Sequence, residues 1–310
     1  MSALICGSMA YDNIMVFPGK FKEHILPDKI HILNVSFLVP TLRRSFGGCA
    51  GNIAYNLKLL GGSGFPMATV GHDFAIYRAR LEQMGVDLRY VKTIAGEFTA
   101  QCFITTDLDD NQITAFHPGA MNHAHVQEVP KSADITLGLI SPDGRDGMIQ
   151  HAEQFAKANI PFIFDPGQAM PLFDGNDLKS FIDKAAYVTV NDYEGELVSE
   201  RTGFSHQEIA KRVKALIVTR GGEGSTIYAD GKEIVIPCAK ATQLKDPTGC
   251  GDAYRAGLIY GISKGLDWET TGRIASLIGT IKIEHDGPQN HTFTMAEFKE
   301  RYQTEFGRSM

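Results

Sequence analysis

The stretch Asp246-Pro247-Thr248-Gly249-Cys250-Gly251-Asp252 sets a carboxylate directly behind a Gly-Cys-Gly turn, at the head of the helix-patterned run DAYRAGLIYGISKG. A helix start has free N–H groups and a dipole that attract anions, and glycines let backbone approach oxygens closely. A phosphoryl group in transfer is such an anion, so the amides of Gly249, Cys250 and Gly251 suit its developing charge. Asp252 would then lie within reach of an attacking hydroxyl and could take its proton, an effect worth roughly 10² to 10⁴ in rate. The plainer alternative is that Asp252 only caps its helix. The extra glycines and Asp246-Pro247-Thr248 weigh against that alternative.

A second glycine-rich stretch, SFGGCAGNIAYNLKLLGG, spans residues 45–62 and brings Asn52 to the start of an amphipathic pattern. Its backbone can press against a ligand, and the Asn52 amide can both donate and accept. Close helix packing through Gly and Ala accounts for the same residues. The spacing is not GxGxxG, and GxxxxGK[ST] occurs nowhere, so a dinucleotide-binding fold and a P-loop are both disfavoured.

These stretches need a scaffold, and the chain is long enough to build one. At 310 residues and 34.0 kDa it can bury a sizeable core. Short apolar runs, DITLGLIS (134–141), PFIFDP (161–166), YVTVND (187–192) and ALIVTRGG (215–222), alternate with helix-patterned segments. That cadence predicts an α/β fold, a three-layer αβα arrangement around a central, mostly parallel sheet. Ligands of such sheets bind beyond the carboxyl ends of the strands, where Asp165, Asn191, Asp192, Thr219 and Arg220 stand. Residues 11–45 and 98–117 break the cadence. HILNVSFLV, TAQCFITTD and NQITAFH read as antiparallel strands, with DLDDN as a hairpin turn. The expected organisation is one domain, 1–310, with a β-strand lid from about 11–45 and 98–117 that closes over a substrate and excludes water.

Composition narrows the function classes. The net charge is −6 and Lys and Arg are scattered, so the footprint that a nucleic acid polymer requires is missing. No apolar run is long enough to span a membrane, and MSALICGSMAYDNI reads as a buried strand and turn rather than a signal peptide; the expected location is the cytoplasm. Cysteines 6, 49, 102, 238 and 250 form no CxxC pair, which predicts reduced thiols and no structural zinc.

Taken together, FGGCAGNIAYNLKLLGG and DPTGCGDAYRAGLIYG resemble the two signature motifs of the ribokinase-like (PfkB) family of carbohydrate and nucleoside kinases. That family more often has Ala where Cys250 stands. NDYE (191–194) resembles its NxxE motif and TRGGEG (219–224) its nucleotide-site turn, so the resemblance runs nearly the full length. CGSMAYDNI, NVSFLVP and ITAFHPGAM are most similar to the adenosine and nucleoside kinase branch.

The resemblance implies ATP-dependent phosphorylation of the ribose 5′-hydroxyl of a nucleoside, adenosine or, more broadly, also inosine, guanosine or cytidine. A sugar kinase for ribose or fructose is the alternative. By the same resemblance Asp12 and Asn52 hold the ribose hydroxyls beside Gly48, Ser8 and Ser36 line the pocket, and Phe116 stacks on the base. Gln168 falls among further substrate contacts. ATP lies along Asn191, Thr219, Gly221 and Gly224, while Glu194 acts through water on Mg²⁺. Asp246, Thr248 and backbone near Gly287 are candidates for a K⁺ site. Without the family, Asp12 reads as a turn residue, NDYE as an Asx turn capping a helix, and Phe116 as core. The expected partners are small molecules, a nucleoside and ATP, with no nucleic acid polymer and no membrane; the chain is a monomer or a homodimer.

Overall fold

The computed structural model describes residues 2–25, 27–32, 34–109 and 111–310. Strands β1 (Ser2–Cys6), β4 (Gly64–Val70), β5 (Tyr90–Thr93), β8 (Ile135–Ile140), β9 (Phe162–Phe164), β10 (Tyr187–Asn191), β11 (Ala215–Thr219), β12 (Ser225–Ala229) and β13 (Lys232–Ile236) form one sheet. Its order is β13-β12-β11-β10-β9-β8-β1-β4-β5. Pairing is parallel from β5 through to β11, and β12 and β13 add an antiparallel edge. The four apolar runs became β8 to β11, buried on both faces as parallel strands between helices must be.

Alternation along the strands divides the core in two. Ala3, Ile5, Leu137, Leu139 and Ile217 face the helices Cys49–Leu59, Cys250–Lys264 and Trp268–Ile283. Leu4, Cys6, Ile140, Val188 and Val218 face Arg145–Lys157, Gly175–Lys184 and Asp192–Thr202. The mostly parallel sheet covered on both sides is therefore the architecture expected from the strand and helix cadence. Among the described residues no helix is long and apolar enough to cross a membrane.

A second sheet joins β2 (Ala10–Val16), β3 (Thr41–Gly47), β6 (Ala100–Thr106) and β7 (Gln112–His117) in the order β3-β2-β6-β7. It departs from the expected lid in two ways. The β2–β6 pair is parallel, because each strand enters the sheet from a separate crossing out of the core, whereas β2–β3 and β6–β7 are antiparallel. HILNVSFLV is not a strand: Pro27–Ile32 forms a 3₁₀ turn and 34–40 has no regular structure. Prolines at 27 and 40 remove backbone donors there, and Phe37 instead packs on Phe17 and Phe21 with ring centroids 4.8 and 4.9 Å apart. Leu33, within that segment, and Asp110, within the expected DLDDN turn, lie outside the described residues. Around the β6–β7 turn, the buried Asp107 carboxylate accepts from the amides of Asp109, Asn111 and Phe21 at 2.9, 2.9 and 2.8 Å.

Candidate active site

Asp252 sits in the first turn of helix Cys250–Lys264, and no side chain caps that helix; Gly249 occupies the cap position in the left-handed region at φ +81°. A side chain at 249 would strike Pro288, its Cβ falling 2.7 Å from the proline Cβ, so only glycine lets this turn seat against 286–291. The Cys250 amide donates to the Pro247 carbonyl at 3.1 Å. This amide was one of the three expected to face an anion. Cys250 closes its own turn, and among the described residues it is the N–H groups of Gly249, Gly251 and Asp252 that have no acceptor. Burial pushes the Cys250 thiol up to about 11, so it stays protonated beside the turn.

The Asp252 carboxylate accepts from Asn52 Nδ2 at 2.8 Å. Asn52 Oδ1 accepts in turn from Gln289 Nε2 at 2.9 Å, and Gln289 also bonds the Tyr77 hydroxyl, which donates to the Gly47 carbonyl at 3.0 Å. Burial lifts the Asp252 carboxyl to about 6, against the pull of Asn52 and of nearby Arg255. Asn52, expected to grip ribose, is 4% exposed, and each end of its amide hydrogen-bonds a protein side chain, Asp252 from Nδ2 and Gln289 at Oδ1. Neither Gln289 nor Tyr77 belonged to a motif. Helix spacing carried a partial signal, since Asn52 and Asn56 stand four apart and both face 289–291: His291 Nε2 lies 2.7 Å from Asn56 Oδ1.

Asp12 projects from β2 over Gly47. Its carboxyl is raised to about 6, chiefly by burial and then by the charge of Asp246. The contact is close: a Cβ on Gly47 would come within 2.4 Å of Asp12 Oδ2. Register lines up Ser45, Asp12, Cys102 and Phe116 as one row across β3, β2, β6 and β7, so Phe116 shares a face with Asp12 two strands away, about 10 Å at normal strand spacing. Phe116 is 52% exposed and so is not core. Phe103 pairs with Ala115 on the opposite face. Ser8 Oγ accepts from the Cys49 amide at 3.2 Å and its carbonyl from Ala50 at 2.9 Å, so it holds the start of helix Cys49–Leu59 at the pocket edge. Gly48 bends the chain into that helix at φ +83°. Ser36 is exposed on the irregular segment, and Gln168 is exposed on the turn after β9; neither hydrogen-bonds a site residue among the described residues.

On the other side of Asp252, Asp165 at the end of β9 holds Arg255 through two 2.8 Å bonds, with both residues buried. Glu194 faces this pair, and burial raises its carboxyl. Asn191 and Glu194 form a complete capping box: Asn191 Oδ1 accepts from the Glu194 amide at 2.7 Å and Glu194 Oε2 from the Asn191 amide at 2.8 Å. NDYE is thus the helix cap that its residue types allow, and it leaves Asn191 Nδ2 and Glu194 Oε1 without a hydrogen bond among the described residues. Thr219 lies beside Asn191 in the β10–β11 register. Gly221 and Gly224, at φ +52° and +89°, shape the turn out of β11, where the Arg220 amide donates to the Gly224 carbonyl at 2.8 Å. A hard carboxylate oxygen at Glu194, half-buried and without a hydrogen bond among the described residues, fits a water-shelled Mg²⁺.

The Asp246 oxygens expected for K⁺ are already engaged by the chain. Asp246 Oδ1 and Oδ2 accept from the amides of Thr248 and Gly287 at 2.9 and 2.8 Å, and its carbonyl accepts from Lys282 Nζ at 2.6 Å.

Altering the floor under Asp12 should be costly. Gly47→Ala is expected to displace the carboxylate and lower nucleoside kcat/KM by on the order of 10², chiefly through KM, with the fold intact. Steady-state kinetics check this, and an unchanged KM would exclude Asp12 from substrate binding.

Residues 11–294 match the family model for pfkB family carbohydrate kinases. The chain is 54% identical to Burkholderia thailandensis nucleoside kinase, solved in complex with inosine, over 99% of each chain with a TM-score of 0.90. It is 34% identical to a nucleoside kinase of Methanocaldococcus jannaschii over 86% of this chain and 89% of that one. The ribokinase of Arabidopsis thaliana, solved with ribose and ATP, shares the fold at a TM-score of 0.77 and 20% identity. The matched span contains both glycine-rich stretches, the carboxylates Asp12 and Asp252 and nearly all of the four-stranded second sheet, and the chain belongs to the pfkB family of carbohydrate kinases.

Proposed function

We propose that this kinase carries out ATP-dependent phosphorylation of a nucleoside with Asp252 as general base and the 5′-hydroxyl as acceptor. O5′ attacks the γ-phosphorus, the new O5′–P bond forms as the bond to the bridging oxygen of ADP breaks, and the hydroxyl proton passes to Asp252. The amides of Gly249, Gly251 and Asp252 hold the charge that builds on the phosphoryl oxygens. Asn52 and Gln289 aim the base, Asp12 accepts from the ribose diol, and Phe116 offers its ring face to the nucleobase. Mg²⁺, held through water by Glu194, would supply charge neutralisation at the phosphates, and the Asn191–Thr219 edge with Gly221 and Gly224 borders the nucleotide.

The observation that carries this reading is the 2.8 Å bond from Asn52 to Asp252, which fixes a carboxylate of raised affinity for protons at the mouth of three free amides. The nucleoside acceptor is supported by the Burkholderia thailandensis enzyme, solved in complexes with inosine and with ADP-inosine.

A panel of adenosine, inosine, guanosine, cytidine, ribose and fructose, assayed with ATP and Mg²⁺, tests the assignment. Phosphorylation of nucleosides with little turnover of the free sugars is expected; turnover of ribose alone would mark a sugar kinase. Phe116→Ala should raise nucleoside KM by about 10- to 100-fold, the worth of one base–aromatic stack. It should leave any residual ribose turnover unchanged.

A further inference from the structure

Lys282, in the last turn of helix Trp268–Ile283, is 0% exposed. Its ammonium donates to the Asp246 carbonyl at 2.6 Å and to the His285 carbonyl at 3.1 Å. The anion-binding turn begins at that Asp246 carbonyl, and the segment that seats Gly249 begins at His285. A buried ammonium is costly unless oxygens surround it, so the lysine is held there by what it joins. The same junction is closed by amides on either side: Gly287 donates to Asp246 Oδ2 at 2.8 Å and Lys245 to the Ile283 carbonyl at 2.9 Å. Charged groups facing the ammonium are Asp246, Asp286 and Arg43, with Cys250 alongside. One residue that the family resemblance offered to K⁺, Asp246, therefore already has its carbonyl on a positive charge that belongs to the chain, and its carboxylate on the amides of Thr248 and Gly287.

We propose that Lys282 is a built-in monovalent cation: a positioning residue that fixes the Asp246–Gly251 turn in place of a potassium ion, so that phosphoryl transfer needs no added K⁺. The ammonium is monovalent and carbonyl-bound, as K⁺ is, but is tethered and cannot be diluted away. The geometry it secures is that of the free amides of Gly249, Gly251 and Asp252, which contact the transferred group, so its loss acts on kcat before it acts on nucleoside KM.

The experiment compares wild type and Lys282→Ala in K⁺, NH₄⁺ and choline at equal ionic strength. Wild-type kcat should agree within about twofold across the three salts. In choline, Lys282→Ala should lose on the order of 10² in kcat, the usual cost of a misplaced reacting geometry, with nucleoside KM within about threefold. Adding K⁺ or NH₄⁺ should restore the variant at least tenfold by filling the vacated carbonyl site, whereas choline is too large to enter. Amide hydrogen exchange over 246–251 gives a reading apart from turnover: faster in the variant, slowed again by K⁺. Activation of wild type more than tenfold by K⁺, or a variant with full kcat in choline, would overturn the proposal. Should the alanine variant not fold, Lys282→Met and the wild-type salt comparison still decide it. Wild-type turnover in K⁺ separately reports whether the nucleoside kinase reading holds.

Discussion

Asp252→Asn is expected to lower kcat by at least about 10² while nucleoside affinity stays within about threefold, because the carboxylate acts on the proton that moves in the transition state. Asparagine keeps the shape and can still accept from Asn52, so the loss reads the base and not the packing. pH gives a second readout. Burial holds Asp252 near 6, and the base must be ionised to work, so wild-type kcat should fall about tenfold per unit below pH 6. The asparagine variant should lose that limb of the kcat profile. Asp12 titrates in the same range, but its protonation weakens the grip on the diol and belongs in KM. Full kcat in the variant, or an unaltered acid limb, would remove Asp252 from the chemistry.

Arg255→Met is expected to destabilise the fold by about 3–5 kcal/mol, since it leaves the 2% exposed Asp165 carboxylate without its partner in the interior. Urea denaturation measures the loss. The companion Asp165→Leu should restore much of it when combined with Arg255→Met, because a buried pair replaced by packed apolar groups leaves no orphan charge. The same change reaches the site. Arg255 favours the ionised form of Asp252, so without it the acid limb of kcat should move to higher pH, and Asp165→Leu alone should move it lower. Additive losses in the double variant, or a limb that stays in place, would mean that the pair is neither coupled nor felt at Asp252.

The scaffold was legible where the chain obeys one rule at a time. β8 to β11 are short, apolar and bounded by turns, and nothing competes with their pairing. The two glycine-rich stretches were legible as tight turns into helices because their backbone demands, a left-handed Gly249 and a bent Gly48, show in residue type alone. Partnerships were not legible. Asn52 joins Asp252 and Gln289, 200 and 237 residues away, and no local window contains that approach. Nor was the bond of the Cys250 amide to the Pro247 carbonyl legible. Arg255 and Lys282 follow helix pattern like any surface basic residue, and their burial comes from helix packing that no local window contains. The segment 27–40 failed as a strand because aromatic clustering around Phe37 outweighed a weak apolar run.

The small residues at the root of the lid sheet set its leverage. Gly47, Ala10 and Ala100 form one cross-strand row, and the Asp12, Cys102 and Phe116 row lies only two residues beyond it, about 7 Å along the strands. The far end, where Val16 pairs with Thr41 and Thr106, is four residues further out. Any tilt of the sheet about its root therefore sweeps the tip through roughly three times the arc of the Asp12 row. On the proposed function, the groups that would grip the acceptor ride near the fulcrum, so the tip can open widely to solvent while a bound sugar and base would shift little.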